Sequence, residues 1–94
     1  MPRHRYSLAA EQDIREITRT IQGDNPPAAE KWFTELERKC RLLAEFPKAG
    51  RVRNDLIPGV HAFAFGNYLI FYDIDDTGIT ILRVINARRD VSQA

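Results

Sequence analysis

The chain has 94 residues, a formal net charge of +1 and one cysteine. That length allows a single domain, residues 1–94, whose core buries about 60 to 65% of the unfolded surface without needing disulfides or a structural metal. A charge so close to balance excludes the global field that draws a domain onto nucleic acid, so sequence-specific nucleic-acid binding is not expected. Cys40 cannot form an internal bridge, and no Cys or His pair stands at metal-ligand spacing, so neither metal nor cofactor is expected and a reducing cytoplasm is the natural compartment. The opening "MPRHRYS" has no apolar h-region, and no apolar run approaches the roughly 18 residues of a spanning helix, which argues against secretion and membrane insertion.

In chain order, "RYSL" alternates as a short strand does, and "AAEQDIREITRTIQGDN" follows with Ala10, Ile14, Ile17 and Ile21 at helical spacing. That helix is expected to stop at Gly23. Asp24 or Asn25 then caps a second helix with Pro26 in its first turn, Ala29, Trp32, Phe33, Leu36, Cys40 and Leu43 on one face, and Pro47 as its stop. After the loop "PKAGRVRNDLIPG" the period changes from 3.6 to 2. "VHAFAF" and "YLIFYDI" flank Gly66-Asn67, a two-residue hairpin signal, and "ITILRVIN" follows Asp75 to Gly78. The expected fold is therefore α+β: a short N-terminal strand, a helical hairpin, then a three-stranded antiparallel meander with the helices packed on one face of the sheet.

A two-residue loop pairs Phe65 with Tyr68, and a four-residue loop pairs Ile74 with Ile79. Strict alternation then separates two faces. One holds His61, Phe63, Phe65, Tyr68, Ile70, Tyr72, Ile79, Ile81, Arg83 and Ile85; the other holds Val60, Ala62, Ala64, Leu69, Phe71, Leu82 and Val84. Both are apolar, yet two helices cover only one face of such a sheet. The aromatic-rich face has more to bury at about 25 cal/mol per Å², so the helices are expected there. The shallower face is left for a partner, because an exposed apolar patch of several hundred Å² is uncommon on a monomer.

The ordered set "YSLAAEQDIREI", "NPPAAEKWF", "LAEFPKAGRVRNDLIPG", "GNYLIFY" and "ILRVINARRD" resembles the ParE branch of the RelE/ParE toxin superfamily, from Tyr6 to Asp90. The resemblance implies the toxin half of a bacterial type II toxin-antitoxin pair. Its partner would be a cognate antitoxin that wraps it with an extended or helical segment, which suits the shallow face: Ala62, Ala64, Leu69, Phe71, Leu82 and Val84 are the antitoxin-binding candidates. ParE-like toxins inhibit DNA gyrase, whereas RelE-like relatives cut messenger RNA in the ribosome. One departure is visible, in that Asn86 stands where the ParE pattern often has His.

Chemistry separates the branches. A metal-free ribonuclease must activate the 2′-hydroxyl, neutralise the phosphate and protonate the leaving oxygen, so cationic and acid/base groups must converge on one face. RelE-like nucleases place lysines on the first meander strand, an arginine after the first tyrosine of the next, and a tyrosine near the C-terminus. The matching places here hold Ala62, Ala64 and Leu69, and no tyrosine follows Tyr72. The expectation is a binding toxin without catalytic residues, with ribosome-dependent mRNA cleavage as the alternative. Arg88, Arg89 and Asp90, with Arg51 and Arg53 of the loop, are the target-binding candidates.

The remaining notable residues have plainer readings. Arg83 falls on the core face by parity and needs an ion-pair partner there, Asp13 or Glu16. His61 is expected to satisfy a hydrogen bond on that face, and Cys40 to fill a helix stripe as a small apolar residue. "DIDDTG" lacks the other positions of a calcium loop and reads as a charged hairpin turn.

Overall fold

The computed structural model describes residues 3–89. Its elements are β1 (Arg3–Tyr6), α1 (Leu8–Asp24), α2 (Pro26–Glu45), β2 (Arg51–Val52), β3 (His61–Phe65), β4 (Tyr68–Asp75) and β5 (Gly78–Asn86), with short 3-10 turns at Pro47–Ala49 and Ala87–Arg89. Local chemistry sets the helix ends. Ser7 Oγ accepts from Ala10 N at 3.0 Å to cap α1, and it donates to Leu82 O at 2.8 Å, so one hydroxyl fixes both the start of the helix and its place over β5. Asn25 joins the helices: its N–H donates to Ile21 O at 2.8 Å, closing α1, while its side chain accepts from Ala28 N at 3.3 Å, opening α2. Pro26 and Pro27 sit in the one turn where a helix has no N–H to lose.

The sheet has five strands in the order β1-β5-β4-β3-β2. The expected meander is its centre, with Phe65 opposite Tyr68 and Ile74 opposite Ile79; the second turn is shorter than the four residues expected, since Asp75 already pairs with Gly78 and only Asp76 and Thr77 turn. Two edges are added to it. β1 pairs parallel to β5, and the two-residue β2 pairs antiparallel to β3. Gly66 opens the first hairpin turn with φ 58°, a left-handed conformation that matches the twist of the flanking strands. At Gly78 the backbone of β1 approaches so closely that an added Cβ would stand 1.8 Å from Arg3 O, and φ is 148°. Only glycine lets the parallel edge strand form.

Both helices lie on one face. Ala10, Ile14, Leu36, Cys40, Leu43 and Ala44 pack there against Ile70, Tyr72, Ile79, Ile81 and Val84. Trp32 bridges the sheet edge, with ring centroids 5.8 Å from Phe65 and 5.4 Å from Tyr68. Tyr72 is fully buried, and its hydroxyl is satisfied by the 3-10 turn, donating to Pro47 O at 2.7 Å and accepting from Gly50 N at 2.9 Å. His61 stacks on the Tyr72 ring at 5.5 Å and contacts Gly59 O through Nδ1 at 3.1 Å, the satisfied position its face implied.

Strict alternation fails in β5. Phe71 pairs with Arg83 but Tyr72 pairs with Ile81, so Leu82 is an extra residue, a β-bulge. Beyond it the parity reverses. Val84, expected on the shallow face, is 2% exposed in the core under the helices. Ile85, expected inside, instead joins Leu82 on the opposite face. Arg83 is not buried: its side chain is 48% exposed and pairs with Asp13 at 2.8 Å.

Two substitutions with opposite expected signs test this architecture by urea unfolding. Gly78→Ala should cost at least about 2 kcal/mol, because it drives a methyl group into the β1 backbone. Gly23→Ala, in a helical turn with nothing within 4 Å, should stabilise by about 0.5 to 1 kcal/mol.

Candidate partner-docking face

The face away from the helices is built from two cross-strand rows. Ala62 lies opposite Phe71, which lies opposite Arg83 beside the bulged Leu82; Ala64 lies opposite Leu69, which lies opposite Ile85. Directly opposed residues share a face, so the meander presents alanines on one side and branched or aromatic side chains on the other, a surface with a built-in hollow. Val60, Ala62 and Phe71 form its nearly buried floor, with Leu56, Leu69, Leu82 and Ile85 half-covered around them.

The floor is deeper than alternation alone implies because a loop folds over one end of it. Residues 53–60 close on themselves through Arg53 N to Val60 O at 2.7 Å, Val60 N to Ile57 O at 3.1 Å and Gly59 N to Asn54 Oδ1 at 2.8 Å. That closure drops Leu56 onto the sheet and leaves Ile57 56% exposed at the rim. The result is a groove of about 580 Å³ lined by Asp55, Leu56, Ile57, Val60, Phe71, Leu82, Arg83 and Ile85. Leu56, Ile57 and Ile85 belong to the face although sequence reasoning omitted them. An apolar pair inside a Pro/Gly loop was the signal available for the first two; for Ile85 none precedes knowledge of the bulge.

Charge sits at the rim, and two of its arginines are paired. Arg53 grips Asp55 with two bonds of 3.0 Å, and those bonds hold the Asp55 carboxyl below the usual carboxylate range. Arg83 is held by Asp13, whose hydrogen bonds raise the guanidinium above its already high range. Arg51 begins β2 opposite Ala62, exposed at the edge of the same face. The structure therefore gives the two loop arginines different settings, Arg51 at the sheet edge and Arg53 bound into its loop.

The basic end follows directly. Asn86 Oδ1 accepts from Arg88 N at 2.9 Å and starts the 3-10 turn that contains Arg88 and Arg89, with the Arg88 side chain exposed. Asn86 is thus a turn-forming residue here. Asp90 lies outside the described residues. The candidate antitoxin contacts Ala62, Ala64, Leu69, Phe71 and Leu82 do share one face; Val84 does not, for the reason of parity given above.

The matching family model is that of the ParE toxin of the type II toxin-antitoxin system parDE, and it spans residues 5–91. The chain belongs to the ParE toxin family. Relatives of this ParE chain include Toxin ParE1 of Mycobacterium tuberculosis, 29% identical over 93 residues that cover 97% of this chain and 95% of that one. Toxin ParE3 of Caulobacter vibrioides is 25% identical over 81 residues, covering 85% and 81%. A chain from the chromosomal ParDE TA system of P. aeruginosa superposes with a TM-score of 0.76, covering 92% of this chain and 96% of that one; at 19% identity the likeness is one of fold. The protein is thus a ParE toxin of a type II toxin-antitoxin system.

Other reactive groups stand apart from this face. Among the described residues no group of three or more His, Cys, Asp or Glu side chains could hold a metal ion, and no helix is long and apolar enough to cross a membrane. Asp75 of the charged hairpin turn accepts from Thr77 N and Oγ1 at 2.8 Å and from Gly78 N at 3.0 Å, which shapes the turn. Cys40 is fully buried, and that burial pushes its thiol up to about 12. Tyr6, which donates to Glu37, is likewise pushed far above its usual range, first by burial and then by that carboxylate.

A thiol at that value holds its proton in the folded state while the unfolded chain releases it near 9. Its contribution to stability is therefore complete below about pH 9 and declines as pH rises above it. Urea midpoints measured between pH 8 and 11 should fall over that window. Thiol reagents at pH 8 should label Cys40 only after unfolding, and rapid labelling of the native chain would contradict its burial.

Proposed function

We propose that this ParE toxin acts by binding DNA gyrase rather than by breaking a bond, and that a cognate antitoxin neutralises it by seating an apolar segment in the groove over Phe71. The observation that carries this reading is the make-up of the groove. Its described lining is aliphatic and aromatic, and its two titratable groups, Asp55 and Arg83, are each bound to a partner of opposite charge. Neither is poised to accept or deliver a proton, and bond cleavage without a metal needs at least two groups that are.

The same groove suits docking. A segment placing a large aliphatic or aromatic side chain against Ala64 and Leu69 would bury surface that the helices leave uncovered, at about 25 cal/mol per Å². Arg51 at the edge favours a segment with acidic residues flanking the apolar ones. For the target, the exposed Arg88 of the terminal 3-10 turn and its neighbour Arg89 are the contact candidates, joined by Arg51. Arg53 and Asp90 complete the set.

Purified protein should inhibit supercoiling by DNA gyrase, and Arg88→Ala with Arg89→Ala should raise the concentration for half-inhibition by about three- to tenfold, as expected when charges at the rim of a contact are removed. Unaffected supercoiling at high protein, or cleavage of ribosome-bound message, would contradict the gyrase reading. Separately, Leu82→Asp should weaken capture of the cognate antitoxin by about tenfold or more, because it buries a carboxylate against apolar surface, whereas Leu42→Asp on the exposed helix surface should not.

A further inference from the structure

The bulge in β5 decides which residues the docking face contains, and one carboxylate reaches the strand just beyond it. Where an extra residue enters a strand, the ladder is interrupted and a backbone N–H loses its partner across the sheet. Two residues past the extra Leu82, Val84 is again in register with Ile70, and its N–H donates to Asp13 Oδ2 at 2.9 Å. The same carboxylate takes both prongs of Arg83, Nε on Oδ2 at 2.8 Å and Nη2 on Oδ1 at 3.0 Å. Asp13 stands in the middle of α1, and its side chain is only 13% exposed.

We propose that Asp13 is the positioning residue of the docking face: by accepting the Val84 N–H it fixes the bulge that puts Leu82 and Ile85 there together and turns Val84 inward. The functional part of this inference rests on reading that face as the antitoxin seat. An unbroken ladder would do otherwise. Continuing from the Tyr72–Ile81 pair, it would set Phe71 against Leu82, Ile70 against Arg83 and Leu69 against Val84. Arg83 would be driven beneath the helices, and the seat would present Val84 in place of Ile85.

The bulge needs an acceptor at this point more than it needs a charge. Asp13→Asn keeps an oxygen for the Val84 N–H while giving up the ion pair, and Arg83→Ala removes the ion pair while leaving the acceptor in place. Both should retain the native ladder. Asp13→Ala removes the acceptor and should release the extra residue.

Cross-strand contacts between β4 and β5, measured by NMR on the isolated full chain, test this directly. Phe71 should lie opposite Arg83 in the parent, in Asp13→Asn and in Arg83→Ala, and opposite Leu82 in Asp13→Ala. Native pairing in Asp13→Ala, or a shifted ladder in Arg83→Ala, would overturn the proposal. Should Asp13→Ala fail to fold, native pairing in both other variants supports it and a shifted ladder in either overturns it. Antitoxin capture should fall about tenfold or more in Asp13→Ala and be restored in Asp13→Asn. A shifted ladder with capture unchanged would support the role of Asp13 in setting the face and overturn the reading of that face as the seat.

Discussion

A sheet that is apolar on both sides, with helices enough for one, is the constraint on which the rest of this molecule depends. The helical hairpin takes the side with Ile70, Tyr72, Ile79, Ile81 and Val84, where burial returns most. The other side is apolar too, and the helices do not reach it. The chain supplies part of the cover itself, by closing residues 53–60 over Val60, Ala62 and Phe71 with Leu56. What remains is a groove whose open end is formed by Ala64, Leu69, Leu82 and Ile85. The family is that of toxins from toxin-antitoxin systems, and on the proposed reading the antitoxin would complete a hydrophobic layer that this chain begins.

The same constraint explains the polar contacts around the face. An unpaired charge or N–H beside an apolar groove would weaken both the fold and any docking; here Asp55 is answered by Arg53, and Arg83 and the Val84 N–H by Asp13, while on the opposite, helix-covered face the Tyr72 hydroxyl is answered by Pro47 and Gly50. These partners come from distant parts of the chain. Asp13 ties α1 to β5, and Tyr72 ties β4 to the turn after α2. The groove is therefore a product of the whole fold, held by contacts between elements far apart in the chain.

Much of this was legible in the sequence because it follows from local rules. Ser7, Asn25, Pro26 and Pro47 punctuate the helices, Gly66-Asn67 and the four residues after Ile74 set two hairpins, and the period-2 runs between them give both apolar faces. Three things were not legible, each for a non-local reason. β1 joins the sheet because Gly78 has no side chain, a tolerance that shows only when both backbones are in place. The deep floor depends on a loop closing through its own backbone. The exchange of Val84 for Ile85 depends on a bulge stabilised from another element, and alternation, which has no means of counting an extra residue, assigns every position beyond it to the wrong side. Arg83 gave a hint. A charge that parity assigns to the core is as good a sign of a bulge as of a buried ion pair.

One physical claim stands above the others in this reading: the uncovered side of the sheet, and not the outer surface of the helices, receives the antitoxin. Leu8 and Leu42 are exposed on the helices at 79% and 42%, so an alternative apolar surface exists for comparison. Methyl-labelled toxin observed by NMR, alone and saturated with its antitoxin, measures both surfaces at once. The claim predicts large shifts for Leu56, Ile57, Leu69, Leu82 and Ile85 with Leu8 and Leu42 unmoved. Shifts confined to Leu8 and Leu42, with the groove methyls unchanged, would contradict it.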